Sequence, residues 1–149
     1  MQIHVLLIED KASDVRLTQE AFREANEAVQ LHVAIDGIEA MSFLLQEGAY
    51  ADAPRPALTL LDLNVPGLDG REVLVRIKND DRLKNIPIVI LTSSESEADV
   101  VNSYQSQANC YISKPVHFEE FHSLVRSISD FWLRKIKSPE PQPEALSGD

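Results

Sequence analysis

The sequence predicts a doubly wound α/β domain, a (βα)5 arrangement in which five parallel strands, in the order 2-1-3-4-5, are covered on both faces by helices. Five short apolar runs of strand length alternate with stretches of helical periodicity. The runs are apolar at successive rather than alternate positions, so both faces of each strand are to be buried. Regular β-then-α alternation demands crossover connections, and these are right-handed, which leaves that strand order as the leading topology.

Ile3 to Ile8 forms the first strand. Val15, Leu17, Ala21, Phe22 and Ala25 then recur at helical spacing, with Ser13 placed to cap the helix they define. Leu31 to Ile35 gives the second strand. Asp36, with Glu39 three residues on, opens a second helix whose apolar positions are Ile38, Met41, Leu44 and Leu45, and Gly48 follows it. The segment 47–56 is longer than a usual helix-to-strand connection, so it is an exposed loop or a place where a partner touches. Ala57 to Leu61 forms the third strand, and Val73, Leu74 and Ile77 mark the third helix. Ile86 to Leu91 forms the fourth strand, and a weaker, polar periodicity over 97–107 marks the fourth helix. Cys110 to Ile112 is the fifth strand, and a last helix runs from about Phe118 to Ile136. The domain is thus expected over 1–137. Residues 138–149 carry too many prolines and too few apolar residues to pack, and read as a disordered acidic tail with no second domain after it.

The chain has 149 residues, enough to build a core without metals or disulfides. Its 24 Asp and Glu against 14 Lys and Arg give a net charge of −10, and the cations are scattered, which opposes binding to nucleic acid or to an anionic membrane surface. No apolar run is long enough to cross a membrane. The lone Cys110 has no disulfide partner and no zinc-spaced neighbour, and Met1 leads into a strand without a hydrophobic leader, so a cytoplasmic protein is expected. Cys110 and the four histidines, His4, His32, His117 and His122, are read as packing or surface residues rather than ligands.

In an open α/β sheet the site lies beyond the carboxyl ends of the strands. The residues found there are Glu9 and Asp10 after strand 1, Asp62 after strand 3, Thr92, Ser93 and Ser94 after strand 4, and Lys114 and Pro115 after strand 5. Carboxylates about 4 Å apart repel by about 4 kcal/mol per pair at an effective dielectric of 20, so the cluster calls for a cation. Oxygen ligands without His or Cys suit Mg²⁺. Shielded by the metal and Lys114, Asp62 can act as a carboxylate nucleophile toward a phosphoryl group, and Thr92 can donate a hydrogen bond to a phosphoryl oxygen.

Four motifs, Leu7-Ile-Glu-Asp10, Leu61-Asp-Leu-Asn-Val-Pro-Gly-Leu-Asp-Gly70, Ile90-Leu-Thr-Ser-Ser94 and Tyr111-Ile-Ser-Lys-Pro115, resemble those of response-regulator receiver domains, the phosphoacceptor modules of two-component signalling with a flavodoxin-like fold. The resemblance covers about residues 3 to 135. It implies that Asp62 is the phosphoacceptor, and that Asp10, Asp62 and the backbone carbonyl of Asn64 hold Mg²⁺ while Glu9 assists through a metal-bound water. It further implies that Lys114 pairs with the phosphoryl oxygens and that Thr92 and Tyr111 form a switch pair. Asn64 and Ser94 would tune dephosphorylation. The segments Ile8 to Leu17, Pro54-Arg-Pro56, Lys78 to Pro87 and Phe131-Trp-Leu133 resemble the stand-alone regulators paired with phytochrome histidine kinases, so such a kinase is the implied partner.

On this reading the chain catalyses only its own phosphorylation and dephosphorylation, and its output must pass through a surface. Phe118, Phe121, Val125, Ile128 and Trp132 form a core-facing stripe on the last helix, while Leu124, Phe131 and Leu133 widen it beyond what one sheet face covers. A homodimer through the face of helix 4, strand 5 and helix 5 is therefore expected, with Leu124, Phe131, Trp132 and Leu133 in the interface. Three alternatives are a phosphorylation-independent interaction module, a Mg²⁺-dependent aspartyl-phosphate phosphohydrolase and a flavodoxin-like electron carrier. The phosphohydrolase needs an acid where Asn64 stands. The electron carrier needs a phosphate-cradling loop where Glu9 and Asp10 stand.

Overall fold

The computed structural model describes residues 2–25, 28–63, 70–92, 110–113 and 118–133. It contains one sheet in the order β2-β1-β3-β4-β5, formed by β1 (Ile3–Ile8), β2 (Val29–Ala34), β3 (Leu58–Leu61), β4 (Ile88–Thr92) and β5 (Cys110–Ser113). Every neighbouring pair is parallel, as the alternation of elements requires. The described helices are α1 (Ala12–Ala25), α2 (Gly37–Leu45), α3 (Gly70–Lys78) and a C-terminal helix (Phe118–Ile128) that continues into a wider π turn over Ser129–Leu133. The expected fourth helix over 97–107 and the tail 138–149 lie outside the described residues.

Alternation along the strands divides the core in two. Leu6, Ile8, Leu61, Ile88 and Ile90 face α2 and α3, whereas Val5, Leu7, Leu58, Leu60 and Val89 face α1 and the C-terminal helix. Phe22 of α1 is 2% exposed and belongs to the second layer with Phe121 and Val125. Phe22→Ala is expected to cost about 3–5 kcal/mol, seen as a lower urea midpoint with an unchanged slope.

Helix ends follow local chemistry, with four departures from the sequence expectations. α1 starts at Ala12, so Ser13 lies inside it rather than at its cap. The Lys11 N–H, just before the helix, donates to the Glu9 carboxylate at 3.1 Å, and the Lys11 carbonyl accepts the first helical bond from Val15. α2 is capped by Asp36 as expected, its Oδ1 accepting from the Glu39 N–H at 2.7 Å. Glu39 reaches back one residue further than a standard capping box, accepting from the Ile35 N–H at 2.8 Å. Ile35 and Ile38 are 56% and 63% exposed, because the buried stripe is phased on Gly37, Ala40, Met41 and Leu44. The left-handed residue that ends α2 is Gln46, at φ 59°, with Gly48 opening a short 3-10 turn (Gly48–Tyr50) two residues later.

The segment 47–56 is pinned to α2 at two points. The Gln46 side-chain amide donates to the Ala53 carbonyl at 2.7 Å, and the Tyr50 hydroxyl donates to the Glu39 carboxylate. That hydrogen bond, reinforced by burial, raises the Tyr50 pKa.

Candidate functional site

The sheet register assembles the site. Ile8 pairs with Leu61, Leu61 with Ile90 and Ile90 with Tyr111, so the carboxyl ends of β1 and β3 end in one row. The next residues are Glu9 and Asp62, and their backbones are still held by the sheet. The Asp62 N–H donates to the Ile8 carbonyl at 3.1 Å, and the Glu9 N–H donates to the Ala34 carbonyl at 2.9 Å. Asp62 therefore sits at the end of a fully buried central strand and is only 7% exposed, and Glu9 is 2% exposed. Asp10, one residue further, is exposed. One carboxylate oxygen from each of Glu9, Asp10 and Asp62 lies within 4.8 Å of the others.

Three carboxylates this close, two of them buried, form a site that a cation stabilises, since buried charges are held by opposite charge or by metal. The donors are all hard carboxylate oxygens, which suits a divalent ion of the Mg²⁺ or Mn²⁺ class rather than one that prefers nitrogen or sulfur. The residues present thus fit a divalent metal.

A further residue shapes the site without contributing a ligand. A Cβ on Gly70, the first residue of α3, would lie 2.6 Å from the Leu63 Cα and 2.8 and 2.9 Å from the Leu63 and Asp62 carbonyl oxygens. The helix start packs directly against the backbone that carries Asp62, which only glycine permits. Gly70 closes the Leu61–Gly70 motif, but its contact is visible only once α3 is docked.

The structure brings together Glu9, Asp10 and Asp62. By backbone register Thr92 closes β4 opposite Ser113, and Tyr111 stands opposite Ile90 on the neighbouring strand, two rows back. Asn64, Ser94 and Lys114 lie outside the described residues. Of the residues expected at an interface, Leu124 packs partly against its own core, while Phe131 is 59% exposed. Trp132 and Leu133 are described by their backbone alone.

Among the described residues, His4, His32 and His122 lie outside the acidic cluster, and His117 is outside the described residues. His122 pairs with Glu24 of α1 at 2.9 Å. On adjacent strands, His4 Nδ1 and His32 Nε2 lie 3.0 Å apart. Burial, and then the neighbouring His4, lower the His32 pKa below its usual 6.5. The unfolded chain therefore binds a proton at this position more readily than the folded one. This contribution to stability is complete above pH about 6.5 and is lost as pH falls toward the lower folded value. Denaturant titrations from pH 7.5 to 5 are expected to show a fall in stability that is shallower in His32→Gln.

A family model described as the response regulator receiver domain matches residues 5–126. The chain belongs to the response regulator receiver domain family and is a phosphorylation-accepting response regulator. Among curated proteins it is similar to the response regulator Rcp1 of Synechocystis, with 44% identity over 135 residues that cover 91% of this chain and 92% of Rcp1. Among solved structures it matches the phosphorylated cyanobacterial phytochrome response regulator RcpA, with a TM-score of 0.87 and 43% identity over 97% of this chain and 100% of that one. The Mn²⁺-bound form of Rcp1 matches with a TM-score of 0.85 and 42% identity, covering 95% of this chain and 99% of that one. No described helix is long and apolar enough to cross a membrane.

Proposed function

We propose that this response regulator accepts a phosphoryl group from a histidine kinase onto Asp62, with Mg²⁺ as the metal, and signals through a surface that phosphorylation alters. The observation that carries this reading is the convergence of Glu9, Asp10 and Asp62 within 4.8 Å at the ends of β1 and β3, with Asp62 itself buried. A carboxylate oxygen of Asp62 attacks the phosphorus of a phosphohistidine. The P–N bond breaks, the imidazole leaves and takes up a proton, and an acyl phosphate forms on Asp62. Asp10, Asp62 and the Asn64 backbone carbonyl would hold Mg²⁺, with Glu9 acting through a water. The bound ion supplies charge neutralisation at the transferring phosphoryl oxygens. Lys114 and the Thr92 hydroxyl would take the same oxygens from the other strands, Tyr111 would follow Thr92 as the second half of the switch, and Asn64 and Ser94 would set how fast water removes the group.

The description of RcpA as a cyanobacterial phytochrome response regulator supports a phytochrome histidine kinase as the phosphoryl donor, and such a pairing would place the chain in the cytoplasm. The exposed Phe131 supports a homodimer through the face of helix 4, strand 5 and the C-terminal helix, in which Leu124, Trp132 and Leu133 would also take part. Sedimentation at micromolar concentration, with and without beryllofluoride, should show a dimer in at least one state. A monomer in both would remove the dimer from the account.

Incubation with acetyl phosphate tests the chemistry. Intact mass should rise by one phosphoryl group in the presence of Mg²⁺ and stay unchanged without it. Absence of any gain, together with absence of beryllofluoride binding, would point instead to an interaction module that works without phosphorylation.

A further inference from the structure

Away from the acidic cluster, His4 of β1 and His32 of β2 are diagonal neighbours on adjacent strands. His32 pairs in register with Leu6, two residues beyond His4, and both side chains lie on the α2 side of the sheet. His4 is five residues before Glu9, about 16 Å away at the rise of an extended strand. The two rings are tilted by 37°, and His4 Nδ1 and His32 Nε2 are 3.0 Å apart. The Phe43 ring, 5.2 Å from that of His32, backs the pair on one side, and both histidines remain partly exposed.

We infer that His4 and His32 form a two-imidazole site for a divalent transition ion of the Ni²⁺ or Cu²⁺ class, separate from the hard-oxygen cluster. A metal at 2.0–2.1 Å from both nitrogens, with the observed 3.0 Å between them, would subtend an angle of about 91–97°. That is the angle between adjacent positions of a square-planar or octahedral ion, narrower than the tetrahedral angle, and imidazole donors in such a geometry select Cu²⁺ or Ni²⁺ over Mg²⁺. The proton now shared between the rings moves to the outer nitrogen of its own imidazole, so both inner nitrogens present lone pairs and the neutral pair loses no proton. Water fills the remaining positions. The bound ion would tie the edge strand β2 to β1.

Ni²⁺ titration of the full chain by calorimetry, in wild type, His4→Gln, His32→Gln, His122→Gln and Asp10→Asn, tests the inference without reference to phosphorylation. With excess Mg²⁺ present to occupy the acidic cluster, one Ni²⁺ should bind in wild type, His122→Gln and Asp10→Asn. Its affinity should fall about tenfold or more in either strand variant, at least the loss seen when a ligand's supporting partner is removed. Paramagnetic Ni²⁺ should broaden the imidazole signals of His4 and His32 first. Thermal melts of the variants check that they fold. The inference is overturned if the wild type takes up no Ni²⁺, if His32→Gln binds it as the wild type does, or if Asp10→Asn is the variant that abolishes binding.

Discussion

Asp62→Asn is expected to take up no phosphoryl group from acetyl phosphate and Mg²⁺, and at the same time to resist urea better than the wild type when divalent ions are absent. The first effect follows from chemistry, because a neutral carboxamide oxygen is a poor nucleophile. The second follows from electrostatics. Two unit charges 4.8 Å apart repel by about 3.5 kcal/mol at an effective dielectric of 20. Asp62 meets two such partners while being only 7% exposed. Solvent around the exposed Asp10, and the other interactions of Asp62, offset part of this repulsion, so a modest gain is expected. Adding Mg²⁺ should narrow or reverse the difference, because an ion that binds the folded wild type stabilises it by mass action and the variant offers one ligand fewer. A variant that lost phosphoryl uptake and also lost stability under metal-free conditions would mean that Asp62 is held by contacts more favourable than its carboxylate neighbours are unfavourable.

Gly70→Ala should give the second large effect. The added methyl would meet backbone atoms of Asp62 and Leu63 at 2.6–2.9 Å, and no rotamer change can move a backbone atom aside. Either α3 lifts from the sheet edge or the chain carrying Asp62 shifts. Overpacking of this kind costs about 1–3 kcal/mol. Gly70 packs against the backbone that carries Asp62, the proposed phosphoacceptor, so Mg²⁺ affinity and the rate of phosphoryl uptake should fall together and by more than stability alone explains. The comparison that separates the two causes is Phe22→Ala, which loses stability in the layer on the other side of the sheet. It should leave Mg²⁺ affinity unchanged under conditions where it remains folded. Equal Mg²⁺ affinity in Gly70→Ala and wild type would remove Gly70 from the positioning of Asp62.

How much of this was legible in the sequence depended on whether the signal was local. β1 was read residue for residue, since Ile3 to Ile8 is one unbroken apolar run. The acidic corner was legible for the same reason, because Glu9, Asp10 and Asp62 directly follow buried strands and the fold rule brings those ends together. β2 was displaced by two residues at its start and one at its end, because Ile35 extends the apolar run in sequence but is exposed in space. Ile38 shares the helical apolar spacing in sequence but is exposed for a related reason. The stripe of α2 begins on Gly37 and Ala40, whose small side chains give no hydrophobic signal. Ser13 fits a capping rule in sequence, but α1 already starts at Ala12, and it is the Lys11 N–H before the helix that the Glu9 carboxylate holds.

Contacts between residues distant in sequence were not legible. His4 and His32 are separated by 28 positions, and only the parallel register makes them neighbours. Tyr50 reaches Glu39 across eleven positions of helix and turn, so a segment read from sequence as an exposed loop or partner contact is anchored to its own domain. Gly70 belongs to the same class. Its motif was visible, but the reason a side chain is forbidden there lies in how α3 docks on the segment carrying Asp62.

Reducing the phosphorylated protein with borohydride and locating the product by peptide mass tests the assignment of Asp62 as the phosphoacceptor. An acyl phosphate is reduced to an alcohol, so a modified aspartate becomes homoserine. Homoserine is expected at position 62 alone, and only in samples that received both phosphoryl donor and Mg²⁺. Homoserine at position 10, or a phosphoryl group that survives borohydride on a hydroxyl or an imidazole, would contradict it.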